Sequence, residues 1–267
     1  MIPVAWHAIR RQLAGLLWWT AGLALLAALL VVAYPTVRDN TELDRTFAGL
    51  PAGVERLLGL GSGNLLSSPS GYLDSQFFAN LFPMTLMVYA IGYAAWTISG
   101  DERAGSLELL LANPIGIARV ALARLAALLV TLTWLAAVPA AVLTAGGPAT
   151  GLSAGLPAVR VFAATAVTAL TASVFAAVAF AVGAATGNRS LAIGVAAALA
   201  VAGYLLEGLA PAVPVLRGFR MLDPWHWLLA SDPLREGPGA TALLAPAAVT
   251  LVLAVGCLPI LSRRDLH

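Results

Sequence analysis

The longest stretches of this chain carry no charge. Gln12 to Val37 and Leu125 to Val159 contain no Asp, Glu, Lys or Arg, and Ser75 to Gly100 is equally free of them. A helix that crosses a bilayer needs about 20 apolar residues, and each of these runs exceeds that. Of 267 residues, 60% are hydrophobic and only 10% are charged, against about 25% charged in a soluble domain. Such a chain cannot cover a water-facing surface. It reads as an all-α polytopic membrane protein.

Charge-free blocks place six spans. They run over about 12–34, ended by Pro35, then 77–98, 120–143, 160–185, 191–206 and 240–261. The block Leu125–Val159 is too long for one helix, and Gly146-Gly147-Pro148 is where it is expected to break. Gly187-Asn188-Arg189-Ser190 makes a tight polar turn between the fourth and fifth spans. The first uncharged run is too long for the apolar region of a cleaved signal peptide. Before it, Ile2, Trp6, Ile9 and Leu13 recur on one helical face, while His7, Arg10 and Arg11 share the other. Residues 1–11 therefore read as an interfacial elbow helix, with Trp6, Arg10 and Arg11 at the headgroups.

Orientation follows from arginine density, because all 15 basic residues are arginine. With the N-terminus in the cytoplasm, the short inner segments hold Arg10, Arg11, Arg103, Arg119, Arg124, Arg189, Arg263 and Arg264. The outer loops are almost twice as long and hold the remaining seven. The positive-inside rule then puts both termini in the cytoplasm. The extracytoplasmic loops are 38–74 and 207–239, and the inner loop is 99–119. The second outer loop is rich in Pro and Trp, and Pro224, Trp225 and Trp227 fit an aromatic belt at the outer interface.

Catalytic constellations are missing from the sequence. His7, His226 and His267 are scattered, with no second ligand at metal spacing. Cys257 is the single cysteine, so no internal disulfide forms. Gly59-Leu60-Gly61-Ser62-Gly63 lacks the Lys-Ser/Thr of a phosphate loop, and Gly71-Tyr72 follows a Pro-Ser turn. Singly spread arginines make no nucleic-acid stripe. The spans hold almost no ionisable group, with Asp74, Asp101 and Glu207 at their rims. An ion-driven carrier keeps such groups inside the membrane, so the energy for any transport comes from elsewhere. Small residues line two spans: Ala176, Ala177, Gly183, Ala184 and Gly187 on the fourth, and Gly194, Ala198 and Ala202 on the fifth. Either close helix packing or a general bias toward alanine accounts for them.

The inner loop is different in character. It runs Asp101-Glu102-Arg103-Ala104-Gly105-Ser106-Leu107-Glu108-Leu109-Leu110-Leu111-Ala112-Asn113-Pro114, with Arg119 beyond. Ser106 can cap a helix. Leu107, Leu110 and Leu111 share one face, and Asn113-Pro114 stops the helix. Two turns are too short to stand alone in water, so the segment packs on membrane or on a partner.

The run from Glu102 to Pro114 resembles the inner loop of the ABC-2 type permeases of bacterial ABC exporters. Six spans, an elbow helix, a long first outer loop and the Asp223-Pro224-Trp225-His226-Trp227 and Asp232-Pro233-Leu234 segments before the last span fit that family too. The resemblance implies an ABC-2, type V exporter-like fold in a bacterial cytoplasmic membrane. It implies a single transmembrane domain over 1–267 with no cofactor of its own. ATP and Mg²⁺ would be bound by a cytosolic ATP-binding cassette ATPase, present in two copies. A second permease, identical or paralogous, would complete the pathway. Glu102, Arg103, Gly105, Ser106, Leu107, Glu108, Leu110, Leu111, Pro114 and Arg119 would form the coupling element. The cargo would be hydrophobic or amphipathic: a drug, antibiotic or lipid. A membrane scaffold or assembly subunit on the same fold is the alternative. An intramembrane enzyme needs polar groups within the spans, and they are missing.

Overall fold

The computed structural model describes residues 13–40, 66–103 and 117–257, together with Pro259. Among the described residues the chain is all-helical. In chain order the elements are α1 (Leu13–Arg38), α2 (Pro69–Leu73), a π-helical turn (Asp74–Phe78), α3 (Leu81–Arg103), α4 (Ile117–Thr150) and α5 (Ala158–Thr186). Then follow α6 (Arg189–Leu209), a 3₁₀ stretch (Pro214–Leu222), α7 (Pro224–Leu229) and α8 (Ala240–Gly256). Among the described residues, five segments are long and apolar enough to cross a membrane: Leu13–Arg38, Pro69–Thr97, Leu122–Thr150, Ala158–Thr186 and Arg189–Leu209. The sixth expected crossing is represented by α8, a shorter apolar helix of 17 residues. The elbow at 1–11 lies outside the described residues.

The helix α5 is the hub. It packs against α3, α4, α6 and α8, and α1 joins the bundle through α4. Two-thirds of α5's most apolar window is buried, against 22% for α1 and for α6. The outward faces of those two flanking helices are apolar, with Leu17, Trp18, Leu25, Leu29 and Val32 on α1 exposed, as a lipid-facing surface requires. Close approach to α5 depends on its small buried residues, among them Ala164, Ala172, Ala176, Ala177 and Gly183. Its buried hydroxyls are satisfied within the helix. Thr168 and Thr171 donate to the carbonyls of Ala164 and Val167 at 2.9 and 3.0 Å, which removes the cost of unpaired polar groups in an apolar interior. Ser173 also meets Thr250 of α8 at 2.9 Å.

The turn at Gly187-Asn188 forms as expected. Gly187 ends α5 in the left-handed region at φ +67°, and Asn188 caps α6 by accepting the N–H of Leu191 at 3.1 Å.

Four expectations are corrected. Pro35 does not end α1, which continues to Arg38; in the last turn a proline forfeits little beyond one hydrogen bond. Arg38 then donates 2.9 Å to the carbonyl of Thr150, satisfying an orphan acceptor at the end of α4. Second, Gly146-Gly147-Pro148 does not break the third span, since α4 runs through it to Thr150. The reason is packing: a Cβ at Gly146 would sit 2.9 Å from Val31 Cγ1 of α1, so glycine there lets two helices touch. The reversal comes later, at Gly151 and Gly155, with φ +82° and +71°.

Third, the end of the first outer loop is helical. Ser68 caps α2, accepting the N–H of Gly71 at 3.1 Å, and Tyr72 donates 3.2 Å to the carbonyl of Leu30 in α1. Gly71-Tyr72 is thus a docked helix and not only a turn. The π-helical turn that follows drives Phe77 into the core, where it stacks on Phe82 at 4.7 Å. Fourth, Gly194, Ala198 and Ala202 face outward on α6, and the buried stripe is Ala192, Ala196 and Ala200. In so alanine-rich a helix small residues line every face, so composition alone cannot choose among them.

Candidate functional site

Two polar regions interrupt this apolar bundle, one at each end. The first lies where α6 ends. Glu207 was expected at a rim, yet α6 extends past it to Leu209 and leaves it 2% exposed. Its carboxylate accepts from Nε of Arg220 at 2.9 Å and from the same guanidinium's Nη2, a two-pronged pair. The same oxygen that accepts from Nε, Oε2, also meets Nδ1 of His226 at 3.0 Å. Arg220 lies on the 3₁₀ stretch and His226 on α7, so one buried acid draws both elements against α6. His226, a scattered histidine in the sequence, is thus part of a cluster.

Beside it, Asp223 caps α7 by accepting the N–H of Trp225 at 3.1 Å. Asp223 is buried, and its Oδ2 finds no hydrogen-bond partner among the described residues. Burial pushes its carboxyl up to about 6; the Trp225 N–H opposes this, and the negative charge of Glu207 adds to it. There is room for the cap only because residue 203 is glycine: a Cβ there would lie 2.5 Å from Asp223 Oδ1 and 2.9 Å from Trp225 Cδ1.

The aromatic-belt reading of Trp225 is corrected. Trp225 is 1% exposed, its indole N–H donates 2.8 Å to the carbonyl of Ala200, and its ring meets Tyr204 edge-on at 5.0 Å. It is an anchor into the bundle, because a buried indole needs an acceptor and the α6 backbone supplies one. Tyr204 in turn donates to Asn80 Oδ1, just before α3. Pro224 opens α7 at its first position. Trp227 is half-buried and donates 2.8 Å to the carbonyl of Met221. The stretch between carries the exposed apolar side chains Val215, Phe219, Met221 and Leu222. The Asp232-Pro233-Leu234 segment turns the chain back toward α8, with Asp232 at φ +38° and Leu234 fully buried.

At the opposite end stand the feet of α3 and α4, joined by residues 104–116. Glu102 and Arg103 are the last residues of α3, and Arg119 lies in the first turn of α4. The helices therefore reach into the expected 99–119 loop from both sides. Gly105, Ser106, Leu107, Glu108, Leu110, Leu111 and Pro114 lie outside the described residues, as do Trp6, Arg10 and Arg11. Two turns into α4, Arg124 is buried and donates to the carbonyl of Thr97 in α3.

Sequence reasoning missed the joining of Glu207, Arg220, His226 and Asp223. The available signal was an acidic residue closing an uncharged run and an arginine thirteen residues on. That spacing has no helical or strand period, so only the folded path brings the two together.

Among the described residues this is a bundle of apolar helices around a hub helix, with a buried ionic cluster where α6 ends, the form of a multi-pass membrane protein. The sequence matches the family described as ABC-2 family transporter protein over residues 3–266, and the chain belongs to that family. A comparison with curated proteins gives no match.

Proposed function

We propose that this chain is the permease subunit of an ATP-driven exporter in a bacterial cytoplasmic membrane. The observation that carries this reading is family membership along almost the whole chain. The family's transport work needs an energy source, and this sequence holds no Walker motif, so a separate cytosolic ATPase supplies it. Two ATPase copies bind ATP and Mg²⁺, and two permeases, identical or paralogous, form the pathway. Both termini face the cytosol, and Arg10, Arg11 and Trp6 seat the elbow in the inner headgroups. With 17 residues α8 spans about 26 Å, a modest shortfall that a bilayer accommodates, and it makes the sixth crossing. The cargo is hydrophobic or amphipathic, in keeping with helices whose side chains are predominantly apolar.

The coupling element is the run Glu102, Arg103, Gly105, Ser106, Leu107, Glu108, Leu110, Leu111 and Pro114 with Arg119. Closure of the ATPases tilts α3 and α4 through it and switches access from one side to the other. At the other end, Pro224, Trp225 and Trp227 hold the outer segment in place.

Purification of the tagged chain in mild detergent tests the reading. An ATPase with a Walker motif is expected to come with it, and Glu108→Arg is expected to reduce that retention. A second arm uses Ser106→Cys on a Cys257→Ser background and an impermeant thiol reagent added to intact cells. Labelling from outside, or unchanged ATPase retention in Glu108→Arg, overturns the assignment.

A further inference from the structure

The seam between α3 and α4 holds polar groups that the coupling run does not account for. Arg124 stands seven residues into α4, about 10 Å above its start, and is only 9% exposed. A long cation at such a depth normally reaches toward the headgroups. This one turns inward and donates to the main-chain carbonyl of Thr97. Thr97 is itself buried, with its hydroxyl returned to the carbonyl of Ala94 at 2.6 Å. One turn further into α3, Tyr93 lies within the electrostatic reach of Arg124, and its buried hydroxyl finds no hydrogen-bond partner among the described residues. The Tyr93 ring meets Tyr89 at 5.9 Å, and Tyr89 meets Trp19 of α1 edge-on at 5.8 Å.

The neighbours of Arg124 on α4 are Ala123, Leu125, Ala127 and Leu128, all buried. Apolar side chains of that kind hold helices together by contact alone and allow sliding, because lipid tails compete on equal terms. A charge-assisted hydrogen bond to one backbone carbonyl is directional and fixes register. Arg124 supplies that bond two turns in from the loop that joins α3 to α4.

We propose that Arg124 is a positioning residue that locks the feet of α3 and α4 together. The hairpin then moves as one lever, and a push at residues 104–116 reaches α1 both through its packing on α4 and through Tyr89 and Trp19. This inference rests on the proposed function, in which that loop is what the ATPase drives.

The test is hydrogen–deuterium exchange of the chain in complex with its co-purified ATPase in nanodiscs, nucleotide-free and trapped with Mg-ATP and vanadate. In the natural sequence, trapping is expected to change exchange at the lower ends of α3 and α4 together and at the start of α1. In Arg124→Met, the α1 response is expected to fall by at least about fivefold, the low end of ordinary coupling between sites, while the ATPase is still retained. Arg124→Lys, which keeps a cationic donor, is expected to restore part of it, a rescue that a packing role alone does not give. A full α1 response in Arg124→Met, or a lysine variant no better than methionine, overturns the inference. If Arg124→Met does not reach the membrane, the natural sequence decides: a response confined to α3 or to α4 alone overturns it. Failure of the unsubstituted chain to retain any ATPase overturns the proposed function and this inference with it. Retention without a joint α3–α4 response overturns this inference only.

Discussion

Glu207 and Arg220 stand thirteen residues apart, on different elements, and both carboxylate oxygens of Glu207 accept from the one guanidinium, the Nε bond measuring 2.9 Å. A buried ion pair adds little over a well-packed apolar pair, but losing one partner leaves an uncompensated charge and costs about 3–5 kcal/mol. The two residues are therefore coupled in a way that each alone does not reveal.

Arg220→Met is expected to destabilise the purified protein by roughly that amount, because the guanidinium that pairs with the buried Glu207 carboxylate is gone. Glu207→Met with Arg220→Met is expected to recover most of the loss, because no carboxylate is then left at position 207 without its guanidinium. Thermal unfolding followed by tryptophan fluorescence reads both. Equal damage in the single and the double variant refutes the pairing argument.

Asp223 links stability to pH. Its carboxyl stands raised to about 6 from an ordinary 3.8, so the folded state holds the proton more tightly than the unfolded state does. The group's contribution therefore opposes folding above about pH 6 and is relieved as pH falls from 6 towards 4. Asp223→Asn keeps an oxygen to accept from the Trp225 N–H but carries no charge. The unfolding temperature of the natural protein is expected to gain on that of Asp223→Asn as pH drops from 7 to 5. A gap that stays constant with pH contradicts the assignment.

Gly203 allows α7 to dock on α6. Alanine in a helix interior is ordinarily favoured over glycine by about 1 kcal/mol. Here its Cβ would meet Asp223 Oδ1 at 2.5 Å and the Trp225 ring at 2.9 Å. Both neighbours are buried and hydrogen-bonded, so neither yields easily, and overpacking costs about 1–3 kcal/mol. Gly203→Ala is expected to lower the unfolding temperature and to open the peptide around Asp223 to protease; a rise in stability refutes the close fit.

Gly146 plays the same part for α1. Gly146→Val is expected to push Val31 away and weaken the α1–α4 seam by about 1–3 kcal/mol. Val31→Ala in the same chain is expected to recover part of it, since the contact at 2.9 Å is to a Val31 methyl. Additive losses in the pair of variants count against a direct contact.

Much of the architecture was legible from the residues. Runs without charge mark helices in lipid because charge is costly there, and Gly187-Asn188 marks a turn because only such residues accept the left-handed cap and supply the next one. Gly146-Gly147-Pro148 misled because glycine breaks a helix in water yet serves close contact between helices in a membrane, and sequence does not say which. Trp225 misled for a related reason: an indole needs one acceptor, and an interface or a buried backbone carbonyl can each provide it.

The chain's order of apolar and charged residues determined by itself that this is a bundle of membrane helices, because hydrophobic length is a local property, and the run from Glu102 to Pro114 carried the resemblance to the ABC-2 permeases. Tertiary structure alone decided that Glu207, Arg220, His226 and Asp223 form one knot, that Arg124 reaches across to Thr97, and that Trp225 points inward. Those relationships join residues at no regular spacing, so they exist only once helices have packed and side chains have come within reach of one another.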